Sequence, residues 1–594
     1  MFLRRCNRRK AGKTHTYWAL VESYRTAQGS RQRVVAYLGE LRPAQKNGWA
    51  KLAKRLPLDD RPQPSLFDPP AANDDVDEEI LVQLRGIRLE NLRDFGDVWL
   101  AWGLWRLLEL DTLLDEHLPA GREDVRWGAV AAILTIARFC APKSELHIEH
   151  TWYRRTALND LIGVPIAHVH TDRLYAGLDR LLPLKETIEK HLHKRLRHLF
   201  DFDYDLLLYD ITSTYFEGDV AANPQARRGY SRDSRPDRPQ VCIGLVVTRD
   251  GLPLGYEVFA GNRQDSTTVQ EIVATMEARF GQARRIWVMD RGMVSEANLQ
   301  FLRDRGGQYI VGTPKAMMRR FERDLAGPDW QTVQAGVEVK LVPGPNGDET
   351  FILTRSVDRR LKEQAMNEKF VVRLEEGLQK MQASATSGRL RDEGQANRRL
   401  GRLLEKNWRA SRAFQVRIER LAEPVGKAHL QVTYERDPQW REWSALAQGC
   451  YVLRTNLVNM PAPELWKHYM QLVEAEWAFR IAKDELRLRP IWHQREDRVQ
   501  GHILVCFLAY VLWKTLAQWM RPSGLGDAPR TVLSEFAKIQ SGDIVLPARS
   551  PDGTTREVRL RCVTTPDAAQ KVLLNRLGLK LPSRLRPLED PVPV

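Results

Sequence analysis

Two carboxylates stand in contexts where a carboxylate is hard to keep. Asp210 lies inside Leu206-Leu207-Leu208-Tyr209-Asp210-Ile211-Thr212-Ser213-Thr214-Tyr215-Phe216, an apolar and β-branched run that reads as one strand. An ionised carboxylate is expensive to bury there unless something positive compensates it, and a metal ion would do so. Asp290 repeats the situation at the end of Ile286-Trp287-Val288-Met289. The competing reading is that each Asp caps a strand end or the turn that follows.

Glu476 supplies a third carboxylate from a different element, a helix predicted from Glu464 to Leu488, opened after Pro463 and closed before Pro490. Tyr469, Glu476 and Lys483 are seven residues apart, and successive heptads drift only about 20° on a straight helix. All three side chains therefore share one face, which Arg480 joins at i+4 from Glu476. A row of phenol, carboxylate, guanidinium and ammonium suits a metal ion beside a phosphate backbone. The alternative is a solvated face laced with i,i+4 ion pairs, and without Asp210 and Asp290 it would be preferred.

The elements that must position these groups are legible in order. Val241 to Thr248, Asp250-Gly251 and Leu252 to Phe259 predict a hairpin, because Asp-Gly supplies the positive φ of a tight turn. A helix opened by Asp265 or Ser266, the strand Arg285 to Asp290, a helix capped by Ser295 and the strand Gln308 to Gly312 follow, so the order is β-β-β-α-β-α-β. Residues 316 to 448 interrupt it with strands near Val337 to Leu341, Phe351 to Thr354, Phe414 to Ile418 and Leu430 to Tyr434, and alternation resumes at Tyr451 to Thr455. An inserted domain is the economical reading. Upstream, Leu92 to Phe200 carries apolar residues at helical spacing and predicts an all-α domain. Its stripe Leu174-Tyr175-x2-Leu178-x2-Leu181 and the basic stretch His191 to His198 are better read as a core face and a solvated face than as a DNA-reading helix.

The chain has 594 residues, with 91 Lys+Arg against 76 Asp+Glu and a net charge of +15, which excludes a small module and points to a polyanionic partner, nucleic acid or an anionic membrane surface. The six cysteines lie far apart, with no zinc-ribbon or disulfide pattern, which fits a reduced cytoplasm. The basic N-terminus lacks the apolar core of a signal peptide. Ile503 to Trp513, the most apolar stretch, falls short of the roughly 20 residues a bilayer needs and reads as a buried helix.

Taken together, these motifs resemble the DDE transposases of bacterial insertion sequences, in the branch marked by Tyr-x2-Arg-x3-Glu-x6-Lys. The match here is Tyr469-x2-Leu472-x3-Glu476-x6-Lys483, with Leu where the branch has Arg. Tyr209-Asp210-Ile211-Thr212-Ser213-Thr214, Gly229-Tyr230-Ser231-Arg232-Asp233, Asp290-Arg291-Gly292, Glu476-x2-Phe479-Arg480 and Leu488-Arg489-Pro490-Ile491-Trp492-His493 are similar as well, and more weakly Tyr37-Leu38-Gly39-Glu40-Leu41. The resemblance implies an α/β protein with an RNase H-like catalytic core and an inserted β-containing domain. It also implies that Asp210, Asp290 and Glu476 hold two Mg²⁺ ions, with Mn²⁺ as a substitute; the residues expected to contact DNA are Tyr469, Arg480, Lys483, Arg291, Arg232 and Trp408. Two ions held by hard oxygens suit in-line displacement at phosphorus. The implied partners are double-stranded DNA, as the element's inverted-repeat ends and as target, and further copies of the chain in a homodimer or larger synaptic assembly. No membrane is implied, and the place of action is the nucleoid of a bacterial cytoplasm.

The corresponding organisation is a basic β-rich module at 1–56, a Pro- and acid-rich linker at 57–92, a helical and DNA-end-binding domain at 93–200, the core at 201–315 and 449–520, the insertion at 316–448, and a C-terminal region at 521–594 with a role in assembly. Other candidates weigh less. His147 with His150, His168 with His170 and His191 with His193 lack a third ligand for a structural metal, and Asp203 and Asp205 look like the turn that enters the Asp210 strand. Arg227 to Arg238 and Arg389 to Arg420 are basic and able to follow a phosphate backbone, with Trp408 available to stack on an unpaired base; a solvated surface is the alternative for the second. The rival functions are a metal-dependent nuclease without strand transfer and a non-catalytic DNA-binding regulator derived from a transposase.

Overall fold

A computed structural model describes residues 2–10, 13–26, 29–39, 81–119, 121, 123–201, 204–282, 285–549 and 554–585. Near the N-terminus, β1 (Phe2–Lys10), β2 (Lys13–Thr26) and β3 (Gly29–Gly39) form an antiparallel three-stranded sheet that contains the predicted strand Thr16 to Val21. Residues 57–80 of the expected linker and Asp203 lie outside the described residues. Residues 81–92 are not linker: β4 (Leu81–Val82) and β5 (Arg88–Asp94) both pair with β17 (Gln540–Arg549), which pairs on its other edge with β18 (Thr555–Val563). Backbone pairing with a strand more than 400 residues away recruits a segment whose own composition reads as loop.

The helical region follows. Leu174, Leu178 and Leu181 are buried, and their helix, Thr171–Leu181, packs on the helices Trp127–Cys140 and Glu496–Met520. The stripe is thus core, as its spacing favours. The Glu496–Met520 helix is long and apolar enough to span a membrane, yet 94% of its apolar window is buried inside the protein.

The largest sheet has nine strands. Its sequence-contiguous half is β6 (Leu206–Tyr215), β7 (Gln240–Thr248), β8 (Pro253–Ala260), β9 (Ile286–Met289) and β10 (Gln308–Gly312). β6, β9 and β10 run parallel, while β7 is antiparallel to both β6 and β8. The β7–β8 turn is the predicted one, and Gly251 takes a φ of +77° there, a conformation that costs glycine little. Ser295 caps its helix by accepting from the Asn298 backbone N–H at 3.1 Å.

β11 (Gln331–Gln334), β12 (Val337–Pro343) and β13 (Thr350–Ser356) extend this same sheet, because β13 pairs with β16 (Cys450–Thr455), which pairs with β10. What stands apart from the sheet is the stretch beginning with the helix Val357–Thr386. It includes the helix Glu393–Lys406 and the hairpin of β14 (Phe414–Val425) with β15 (Ala428–Arg436), around small cores of its own such as Met381, Leu390, Leu430 and Val432.

β6 shows how one strand serves two layers. Leu207, Tyr209 and Ile211 pack into the core beneath the helix Val269–Phe280, whereas Leu206 and Leu208 face the larger core on the opposite side. Period-2 alternation puts Asp210 on that second face.

Candidate active site: three carboxylates at the end of two parallel strands

Parallel register brings the two aspartates together. Tyr209 of β6 is paired with Met289 of β9, so Asp210 and Asp290 are the next residues along adjacent strands. The Asp210 carboxylate accepts from the Ile211 backbone N–H at 2.8 Å. Burial pushes its carboxyl up to about 7, and the negative charges of Asp290 and Glu476 add to the rise. Glu476 is raised as well, by burial and then by Asp290. Among the described residues no cation forms an ion pair with any of the three, and Arg232, which lowers Asp210 only through space, turns its guanidinium to both oxygens of Asp265.

The predicted helix from Glu464 to Leu488 is not continuous. It runs as Ala462–Met470 and Val473–Arg480, followed by a wide turn at Ile481–Glu485. Between the first two pieces the bonds tighten to i→i−3, from Leu472 N–H to the Tyr469 carbonyl and from Ala475 N–H to that of Leu472, both at 3.0 Å. The wide turn then closes an i→i−5 bond from Leu486 to Ile481, also at 3.0 Å. Overwinding is followed by underwinding, and the heptad residues stay near the sheet's end. Val473–Arg480 packs on β6 and β7, with Glu474, Ala475, Ala478 and Phe479 inward and Glu476 open toward Asp210 and Asp290.

The other predicted contacts divide sharply. The Tyr469 phenol sits beside Asp290, its ionisation suppressed by burial and by that charge. Arg291 is exposed next to Asp290, on the wall of a cleft of ≈ 520 Å³ that also includes Lys315, Arg359, Tyr451 and Tyr469. Arg480 is 67% exposed, its guanidinium over the Trp477 ring at 4.9 Å. Trp408, 64% exposed, lies far along the chain in the insertion with Arg409 stacked on it at 5.1 Å. Lys483 is different, for only 9% of its side chain is exposed and its ammonium donates to Asp233 at 2.9 Å. Asp233 and Asp265 thus hold two cations, Lys483 and Arg232, that the sequence reading gives to DNA. Asp233 belongs to a motif visible in the sequence, but nothing local reveals its partners.

The paired histidines gather no metal-type site. The group of three whose ligand atoms lie within 4.8 Å of one another, among the described residues, is Glu145, His493 and His502. Arg138 is part of that cluster, 3.5 Å from His502 Nδ1 and 4.0 Å from Glu145, so the protein supplies its own cation there.

Leu472, where the branch signature has Arg, is 7% exposed and packs in the main core.

A family model described as the transposase DDE domain matches residues 201–512, over half of the chain, and one described as the N-terminal domain of the IS1634 family transposases matches residues 3–63. No curated protein matches. Among solved structures, a piggyBac transposase synaptic complex with hairpin DNA is similar at 8% identity, covering 76% of this chain and 82% of that chain with a TM-score of 0.34. The DDE match spans the sheet that carries Asp210 and Asp290, the helix that carries Glu476 and part of the buried helix that follows, and the chain belongs to the DDE-type transposases of insertion sequences.

Proposed function

We propose that the protein binds the terminal inverted repeats of its own element, cuts the DNA at their ends and joins the 3′ ends to target DNA, with Asp210, Asp290 and Glu476 as the metal-holding triad. The observation that carries this is the juxtaposition of three carboxylates, two of them raised by burial and then by their neighbours' charge, without a cation of their own among the described residues. The strand order β8-β7-β6-β9-β10, with β6, β9 and β10 parallel, supports reading the core as RNase H-like, interrupted between β10 and β16 by the insertion.

The residues present fit the implied metal. Asp290 and Glu476 stand near enough for their charges to raise Asp210, where burial already makes the charged form unfavourable, and three hard oxygen donors in that situation are what a divalent cation relieves. Two Mg²⁺ ions held there, or Mn²⁺ in their place, would supply charge stabilisation for the attacking and leaving oxygens of an in-line displacement. The chain's own share is positional. The buried strands β6 and β9 hold Asp210 and Asp290 in register, the helix Val473–Arg480 carries Glu476 over them, and the Tyr469 hydroxyl stands beside Asp290. Arg291 and Arg480 are open to a phosphate backbone. Bringing two element ends together requires a homodimer or larger assembly on double-stranded DNA.

The test is cleavage of a duplex cut from the DNA flanking the reading frame. Asn at 210 or 290, or Gln at 476, eliminates Mg²⁺-dependent cleavage and leaves end binding intact. A variant that cleaves within a few-fold of wild type removes that residue from the triad, and cleavage without 3′-end joining to a second duplex would replace transposition with a plain nuclease.

A further inference from the structure

Glu474 stands two residues before Glu476, and two residues span about 200° of an α-helix, so its side chain leaves the Val473–Arg480 helix on the side away from the triad. It is buried there, and its Oε2 accepts from the ammonium of Lys514 at 3.4 Å. Lys514, 6% exposed, belongs to the long buried helix Glu496–Met520. Both charged groups sit over bare backbone, for a Cβ on Gly251 would lie 2.6 Å from the Lys514 nitrogen and 2.9 Å from the Glu474 oxygen. The long helix grips that turn by further bonds. The Tyr510 hydroxyl donates to the Gly251 carbonyl at 2.7 Å and Gln518 to the Asp250 carbonyl at 3.3 Å, while Arg521, just past the helix, donates to the Asp250 carboxylate at 3.4 Å. The β7–β8 turn, the helix of Glu476 and the long helix therefore meet at one buried ion pair.

Apolar packing does little to fix how the short helix is turned. Its inward side carries Ala475 and Ala478, whose methyl groups interlock with little, and an apolar crevice of ≈ 30 Å³ lies behind Ala478 and Phe479 against Phe507 and Tyr510. The tightened bonds before it and the wide turn after it interrupt the continuous helix that would otherwise hold its rotation. We infer that Lys514 is a positioning residue: seated over Gly251, it fixes through Glu474 the rotation of the Val473–Arg480 helix and with it the place of Glu476 relative to Asp210 and Asp290. This rests on the triad reading above. Helix side chains reach roughly 5 to 6 Å from the axis, so a turn of about 10° would carry the Glu476 carboxylate about 1 Å, a misplacement large enough to slow an active site markedly. Lys514 touches no reacting atom, and its influence passes through Glu476, as groups behind metal ligands generally act.

The experiment separates positioning from plain stabilisation. Mg²⁺ binding is titrated by its effect on the melting temperature in wild type, in Lys514→Met and in a variant carrying both Lys514→Met and Glu474→Leu, with Asp210→Asn as the chain that lacks the site. Lys514→Met leaves a carboxylate buried beside an uncharged neighbour, so it melts below wild type, and its Mg²⁺ concentration for half-maximal effect rises about 10- to 100-fold. The doubly apolar variant regains the wild-type melting temperature, because apolar side chains can replace a buried ion pair without loss of stability, yet its Mg²⁺ requirement stays raised by about 10-fold or more. Mg²⁺ affinity that recovers together with the melting temperature, or that is unchanged in Lys514→Met, would make the pair a stabiliser of the core alone and overturns the inference. If either variant does not fold, the Mg²⁺ titration of the other decides. Equal Mg²⁺ binding by wild type and Asp210→Asn removes the triad and the inference with it. A wild-type chain that binds Mg²⁺ through Asp210 but cuts no DNA removes the proposed function, and the metal titration still judges Lys514.

Discussion

The Tyr469 hydroxyl lies 2.7 Å from where a Cβ on Gly312 would stand, and the Arg291 backbone nitrogen lies 3.2 Å from the same point. The bare backbone at 312 is what lets the phenol reach the end of the strands beside Asp290. Gly312→Ala is predicted to push the ring away and to slow cleavage by about 10- to 100-fold, the scale of an ångström's misplacement in an active site. The slowing should match that of Tyr469→Ala, with melting unchanged. Wild-type cleavage by Gly312→Ala would show that Tyr469 has no part in positioning.

Leu472 and Arg480 respond in opposite ways. Leu472→Arg places a guanidinium in the main core, where Leu472 is 7% exposed, and is predicted to destabilise the fold by about 3 kcal/mol or more, measured by urea denaturation. It yields no gain in cleavage, because the side chain at 472 faces hydrophobic neighbours and not the carboxylates. Arg480→Ala leaves stability near wild type and weakens end binding by about 1 to 3 kcal/mol, the scale of one charged hydrogen bond. A folded and hyperactive Leu472→Arg chain would contradict this packing.

Proton linkage at Asp210 has a definite direction. Its carboxyl is raised from 3.8 to about 7 in the folded chain, so the metal-free fold holds a proton that the unfolded chain has released. That contribution to stability is present below about pH 4 and is lost as pH rises through about 7. Glu476 is raised in the same direction. In EDTA the melting temperature of wild type should therefore decline between these limits more than that of Asp210→Asn. Mg²⁺ binds the charged form, so its stabilising effect should grow with pH over the same range. Equal pH profiles for the two chains would place the raised carboxyl elsewhere.

The insertion offers a separate basic surface. Arg398 is 72% exposed on the Glu393–Lys406 helix, and replacing Arg398, Arg399 and Arg402 with Ala is predicted to lower the salt slope of duplex binding by up to about 2.7, roughly 0.9 for each phosphate no longer neutralised. An unchanged slope would leave DNA backbone binding to Arg291, Arg480 and the basic residues of the first 35.

Much of the core was legible because its signals are local. Strand β6, the hairpin turning at Gly251, the helix capped by Ser295 and β10 each follow from side-chain period or turn chemistry within a few residues. The two aspartates stood out because apolar neighbours on their own strands make them costly. The helix break at Leu472 was not legible, since a seven-residue spacing reads the same whether the helix is regular or tightened and then widened. Nor was the recruitment of β11, β12 and β13 into the main sheet, or of β4 and β5 by β17, because strand pairing depends on which backbone edges meet and not on composition.

Which residues carry charge, and in which elements most of them sit, can be read along the chain; which charges are spent on each other follows only from how the chain folds. Lys483 shows the difference, since seven-residue spacing places it with Tyr469 and Glu476, while its actual partner, Asp233, lies 250 positions away. An ion pair forms wherever folding buries two opposite charges together, and helical periodicity holds no record of what comes to face it across the chain.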